Sequence, residues 1–499
     1  MNGSPTPSLR KENASDRELH LEHANKYDFG GESQLPPPPT LSKEDERKLW
    51  RKIDLRLMPI LCLMYLMSFM DRGNAKLEGL ETQLNLIGNR YNIALTILVL
   101  KKFRPSVWLP TITVMWNSRT LMGLVKTYPQ LVAVRVCLGV AEAGLFPGVT
   151  YYLSLWYPRN ALQTRIALFE GAATLAGAFS GLFAFGISFM SGTQGLLGWS
   201  WIFIIEGVAT VAVGLFAFLV LVDFPVTAKF LTPEERSFVV WTKSKLLTFI
   251  RAFSYNIPEY DNSSVGEEEH FQAKHIYQAF TDWQIWIHIP IYMSLIVPLY
   301  GITLFLPFGE FSDPVSQLLT IPPYFFAITL LGIFAYFSDK LMLRSPFIYA
   351  SLIMCLIGFS INISNASSGA KYFGTFLIVA GSYAGFPGVV AWLSNNLSGQ
   401  YKRGVGMALH IGIGNFSGAI ASNIFRAQDK PRFILGHGIE LMFVGIGLIF
   451  VPITVAIYKR INKRRAQFMA RVAEGSEKLA SPDEIRALGD KSPDFLYTI

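Results

Sequence analysis

Ionisable side chains stand in otherwise apolar stretches at Asp71 and Arg72, at Arg135 and Glu142, and at Glu206. A charge inside an apolar run is costly, so such residues mark a functional site unless a partner explains them. Arg135 and Glu142 are seven residues apart, two helical turns, and therefore share one face of a helix. A guanidinium offers a permanent charge and a planar fork for a carboxylate. A carboxyl in low dielectric can load and release a proton. These are the parts that proton-coupled movement of an organic anion needs. The plainer reading is an Arg–Glu network that ties helices together. Glu206 follows Trp199-Ser200-Trp201, near an expected outer boundary, where a capping or pairing role suffices. Glu170 is expected close to the cytosolic face.

Further along, the candidates are polar but uncharged. Tyr292, Asn395, His410 and Asn415 are read as substrate-binding, beside Tyr300, Tyr383 and Asn396. For each alone, hydrogen bonding between helices is the better explanation. In the loop Ser338–Arg344, Asp339, Lys340 and Arg344 place an acid ahead of bases at a helix junction. This would latch one face shut, or serve only as ordinary basic flanking charge. The sequence has no nucleophile–base set, metal-ligand spacing or phosphate loop, so no enzyme activity, metal or cofactor is expected.

The elements that must position these groups are membrane helices. The chain has 499 residues, 51% hydrophobic and 16% charged, against about 25% charged in soluble domains. Spans are predicted at 55–72, 107–126, 130–157, 163–190, 200–222, 283–307, 316–338, 346–363, 373–393, 404–424 and 435–458, with a short one at 91–100. Residues 1–50 form a polar cytosolic head expected to be disordered. Residues 51–222 are a first transmembrane bundle, 223–281 a central cytosolic loop, 282–459 a second bundle and 460–499 a cytosolic tail. Lys and Arg concentrate at the span ends that share a side with both termini, so both termini are expected in the cytosol. That placement accounts for the net charge of +8 without nucleic acid.

The halves are related. Gly144-Leu145-Phe146-Pro147-Gly148-Val149 returns as Gly385-Phe386-Pro387-Gly388-Val389, and Pro147 to Pro387 spans 240 residues, as does Arg104 to Arg344. A duplicated bundle is the pattern of a secondary transporter with its site between the halves. The repeat also exposes a shortage: Asp54 to Arg104 is 50 residues, but Asp282 to Arg344 is 62. The segment 91–100 rises only ~15 Å as a helix, half of a hydrocarbon core. The second helix is therefore read as truncated. Asn117-Ser118-Arg119 inside the third span is a further oddity.

Arg135-Val-Cys-Leu-Gly-Val-Ala-Glu-Ala-Gly144 resembles the fourth-helix motif of the major facilitator superfamily, and Asp339-Lys340 with Arg344 resembles its loop motif. Arg51-Lys-Ile-Asp-Leu-Arg56, Tyr152-Leu-Ser-Leu-Trp-Tyr157, Leu319-Thr-Ile-Pro-Pro-Tyr324 and Asp429-Lys-Pro-Arg-Phe433 are similar to the fungal anion:cation symporters of the allantoate permease group. The resemblance covers about residues 45 to 499. It implies an all-α membrane protein of two six-helix bundles that carries a nicotinate-like vitamin, pantothenate or allantoate with a proton. It implies a monomer in the plasma membrane. By motif position it assigns anion contacts to Arg72 and Arg135 and proton coupling to Glu142, and Asp71 is grouped with the latter. Two rival readings are a transport-inactive product, on the evidence of the short second helix, and a nutrient sensor that binds without carrying.

Overall fold

The computed structural model describes residues 41–69, 105–115, 122–127, 129–130, 133–134, 144–240, 242, 273–305, 313–398, 400–425, 429, 433–477 and 488–499. Within them the ordered elements are helices, with no strand: α1 Lys43–Phe69, α2 Pro105–Met115, α3 Leu145–Trp156, α4 Arg159–Ser188, α5 Gly198–Val220, α6 Ala273–Phe280, α7 Trp283–Phe305, α8 Asp313–Leu341, α9 Ser345–Ile363, α10 Ser368–Asn396, α11 Gln400–Gly414, α12 Phe416–Ile424 and α13 Ile434–Ala473. Among the described residues, seven helices are long and apolar enough to cross a membrane. The physical reason is that lipid offers backbone amides no partner, so each spanning segment must satisfy its own hydrogen bonds. The shortened second helix at 91–100 and the polar trio Asn117–Arg119 lie outside the described residues.

Helix ends differ from the predicted spans where hydrophobicity stops but helix propensity does not. α13 continues fifteen residues past the expected 458, because its Lys-, Arg- and Ala-rich continuation is made of good helix formers. It stops at Gly475, whose φ of +76° takes the left-handed conformation that closes a helix.

Small residues let the helices approach. A Cβ added at Gly358 of α9 would lie 2.6 Å from the Gly374 carbonyl of α10, and one at Gly381 would lie 2.6 Å from the Ser351 carbonyl. These crossings bring backbone against backbone, the usual basis of helix association in lipid. In the first half, Gly214 of α5 sits against Val114 of α2 in the same way.

The two halves meet chiefly along α4 and α8. Near one end of that seam Gly177 lies under the Tyr324 ring, and Phe179 meets Phe325 edge-on at 6.2 Å. Midway, Ala167 packs with Leu331 and Ala335. The duplicated phrases also touch one another: Phe146 and Phe386, one from each copy, stack at 5.4 Å.

Equivalent ion pairs fix equivalent helices. Asp54 of α1 takes a two-pronged grip from Arg165 of α4, at 3.1 and 2.8 Å. Asp282, just before α7, pairs with Lys402 of α11 at 2.5 Å. Both pairs lie at the end of the molecule richest in Lys and Arg, called the basic end below.

The glycine crossings generate a prediction. Gly358→Ala forces a methyl into a backbone carbonyl that cannot swing away, and overpacking of this kind costs about 1–3 kcal/mol. Gly332→Ala, where no atom lies within 4 Å of the added carbon, is expected to leave stability unchanged or slightly improved. Thermal unfolding of the detergent-purified chain measures both.

Candidate functional site

At the centre of the seam, aromatic rings run continuously from one half to the other. Tyr65 of α1 stacks on Phe169 of α4 at 4.1 Å. Phe146 lies 5.9 Å from Tyr65 and 5.4 Å from Phe386, and Phe386 meets Tyr292 of α7 edge-on at 5.4 Å. Tyr292 in turn lies edge-on to His410 at 4.8 Å. Rings pack this way because an edge-to-face or offset contact adds to the area they bury.

A carboxyl sits in this apolar wall. Glu170 of α4 is 2% exposed, and its Oε1 accepts a hydrogen bond from the Tyr65 hydroxyl at 3.0 Å. Across the seam, Glu170 acts electrostatically on Tyr383 of α10. The Tyr383 hydroxyl is 3.2 Å from Thr303 Oγ1, and its ring meets Tyr324 at 5.7 Å. Glu170 was expected near the cytosolic face. It is the twelfth residue of the thirty-residue α4, about 16 Å along the axis from the helix start. There it lies within the aromatic seam, bonded to Tyr65.

Among the residues singled out from sequence, Tyr292, Asn415 and His410 come together. The Tyr292 hydroxyl donates to Asn415 Oδ1 at 3.2 Å, where α11 gives way to α12. His410 is fully buried, with Nε2 3.1 Å from the His288 carbonyl. Asn395 does not join them. It is buried nine residues beyond Phe386 on α10, about 13 Å further along. Asp71, Arg72, Arg135 and Glu142 lie outside the described residues.

The loop residues divide. Asp339 and Arg344 pair at 2.7 Å with side chains 8% and 0% exposed. Asp339 Oδ2 also accepts from the Thr164 backbone N–H at 2.7 Å and from its hydroxyl at 2.5 Å. Ser338 Oγ, which accepts from Arg344 Nη1, lies 2.6 Å from Gln163 Oε1. Thr164 and Gln163 belong to the first half, so this cluster joins the halves at the basic end. Burial pushes the Arg344 guanidinium down, and the Asp339 carboxylate beside it pushes it back up. Lys340 takes no part. It is exposed, with its ammonium over the Tyr336 ring at 5.8 Å.

Behind that cluster the segment 488–499 folds onto the second half. The Arg344 N–H donates to the Ile499 carbonyl at 2.7 Å. The Thr498 carbonyl accepts from Trp392 and Asn396, and Thr498 N–H donates back to Asn396 Oδ1. Asn462 and Tyr497 exchange a reciprocal pair of bonds, and Asp490 completes a buried triad with Lys402 and Asp282. The tail therefore clamps the basic ends of α7, α10, α11 and α13. Sequence reasoning missed Tyr65, Glu170's place in the seam, Tyr324 and this clamp. The positions of Trp, Asn and Tyr along the spans carry no sign of which of them meet.

The residues 97–422 match the family model described as Major Facilitator Superfamily. The chain is 29% identical to a high-affinity nicotinic acid transporter of Saccharomyces cerevisiae, over 92% of this chain and 86% of that protein. It is 31% identical to an MFS-type transporter of Penicillium expansum, over 97% and 93%. It is 32% identical to an uncharacterized transporter of Schizosaccharomyces pombe, over 94% of each. A partially occluded, inward-open structure of the xylose transporter XylE from E. coli superposes with a TM-score of 0.51 at 14% identity, covering 80% of this chain and 96% of that one. That likeness bears on the fold alone.

The loop cluster yields a mutational prediction. Asp339→Asn leaves the buried Arg344 without its counter-ion, and breaking a buried pair on one side costs about 3–5 kcal/mol. The expected outcome is a lowered unfolding temperature together with faster labelling of a cysteine placed at Thr164. Conversion of both members, Asp339→Asn with Arg344→Met, is expected to recover part of the loss.

Proposed function

The chain belongs to the Major Facilitator Superfamily and is a secondary transporter, and we propose that it carries a small carboxylate-type organic anion by proton symport. The observation that supports this reading best is the buried Glu170–Tyr65 pair in the aromatic seam between the halves. A desolvated carboxyl there gains little from water and is suited to exchanging a proton as the site changes its exposure. In sequence, Glu142 stands four residues before Phe146, the ring at the middle of that seam. On this reading Arg72 and Arg135 hold the substrate carboxylate, Glu142 with Asp71 takes the proton alongside Glu170, and Tyr292, His410 and Asn415 shape the second wall. Asn395, placed toward the basic end, contacts the substrate only on its way out.

Alternating access follows from the two ends of the α4–α8 seam. Opening at the basic end requires Asp339 to release Thr164 and Ser338 to release Gln163. Opening at the other requires Tyr324 to leave Gly177. The halves then rock about the central rings. The basic end is assigned to the cytosol, with both termini there, and the site of action to the plasma membrane as a monomer. The nicotinic acid transporter named above makes nicotinate the first substrate to try.

Uptake of radiolabelled nicotinate, pantothenate and allantoate by a carrier-deficient fungal strain, at several external pH values, tests the proposal. One of the three is expected to accumulate, faster as the medium is acidified. Arg135→Gln is expected to abolish that uptake, and full uptake by this variant removes the anion-binding role. The length mismatch of the two halves favours a second reading, a transport-inactive product. It predicts no uptake by this chain and uptake by a version whose second helix is restored to full length.

A further inference from the structure

A second carboxyl inside the membrane region belongs to none of the contacts above. Glu440 lies seven residues into α13 and has no exposed surface. Its Oε2 is 3.4 Å from His437 Nδ1, three residues back on the same helix face. Its Oε1 has no hydrogen-bond partner among the described residues. That oxygen abuts Gly301 of α7 so closely that a Cβ there would overlap it. His437 is held by the rings of Phe425 and Phe359, with centroids at 5.3 and 5.9 Å, and keeps 16% of its side chain exposed. The pair is thus graded, from a partly exposed imidazole to a fully buried carboxyl. Of the titratable groups on the surrounding helices, Cys355 of α9 feels the charge of Glu440, and His437 that of Lys371 on α10. The face of α7 opposite is Gly301, which brings no charge. α12 is followed there by the Phe425 ring. The first half has a counterpart, since Glu206 is likewise buried in α5, the last helix of its bundle.

We propose that His437 and Glu440 form a proton-binding site distinct from the central one, loaded from the end of the molecule opposite the basic end. A proton taken up at His437 Nε2 is matched by the one passed from Nδ1 to Glu440 Oε2. The imidazole ends neutral and the carboxylate becomes a carboxylic acid, with no other bond made or broken. An ionised carboxylate with an unpaired oxygen cannot remain in a dry contact. It must be hydrated, and hydration requires α7 to draw away from α13 at Gly301. Protonation therefore permits α7 to close on α13, and deprotonation drives it off. The coupling role of this proton rests on the symport reading above, but the binding site itself does not.

The test is a pH-difference infrared titration of the purified full chain in phosphatidylcholine–phosphatidylglycerol vesicles, with protons as the only ligand. A carbonyl band of a protonated carboxyl is expected that titrates in the wild type and is lost in Glu440→Gln. In His437→Gln its midpoint is expected to shift. An unchanged difference spectrum in Glu440→Gln overturns the site, and Glu440→Asp, which keeps a carboxyl, controls for misfolding by retaining a displaced band. In vesicles that take up nicotinate, Glu440→Gln is expected to lose the acceleration given by an inward proton gradient, and retained acceleration overturns the coupling role. Absence of nicotinate uptake in the wild type counts against the substrate reading alone, because the infrared band decides the site.

Discussion

A bilayer supplies no water to a charge and no partner to a backbone amide. That single constraint organises this molecule. It makes the ordered chain helical, it pushes Lys and Arg to the span ends, and it forces every acid within the helices to find a base, a hydroxyl or a proton. Asp54 finds Arg165, Asp282 finds Lys402, and Asp339 finds Arg344. These pairs stand at the basic end, where two of the three are buried and each charge depends on its partner. Elsewhere the partners differ: Glu170 has a tyrosine hydroxyl and Glu440 a histidine.

The same constraint separates rigid parts from moving ones. Glycine crossings such as Gly358 on Gly374 lock α9 to α10 within the second half, and the tail clamp braces four helices of that half at once. Between the halves the contacts are of another kind. They are rings against rings at the centre and a few short hydrogen bonds at the basic end. Rings slide and roll at little cost, whereas a backbone crossing cannot yield without a helix moving. Contacts between the halves are therefore of a softer kind than those within the second half, apart from the buried cluster of Ser338, Asp339 and Arg344 with Gln163 and Thr164.

Much of this was legible in the chain. The repeated Gly-Phe-Pro-Gly phrase pointed to duplicated bundles, and its two phenylalanines turn out to be the residues that meet on the internal axis. Asp339 and Arg344 were readable as an acid and a base that meet at a helix junction, and they pair. Lys340, adjacent to them, was grouped with them because sequence does not say which way a side chain leaves a helix end. The contact of Glu170 with Tyr65 was not legible, because sequence does not say which helices face each other. Glu440 was passed over because one acid in a strongly apolar span barely lowers its hydropathy. The clamp of 488–499 was illegible, since its partners come from four separate helices, some of them a hundred or more residues away.

By itself the sequence determined the solvent of this protein, its helical class, its duplication and the small set of charges too costly to be accidental. All of those follow from composition and period, which are local properties of a chain. The tertiary structure alone decided which acid lies in the aromatic seam, which phenylalanines touch, and which loop residue faces its partner. Those outcomes depend on helix rotation and on how closely glycine lets two helices approach, and a few degrees of rotation exchange a dry neighbour for lipid.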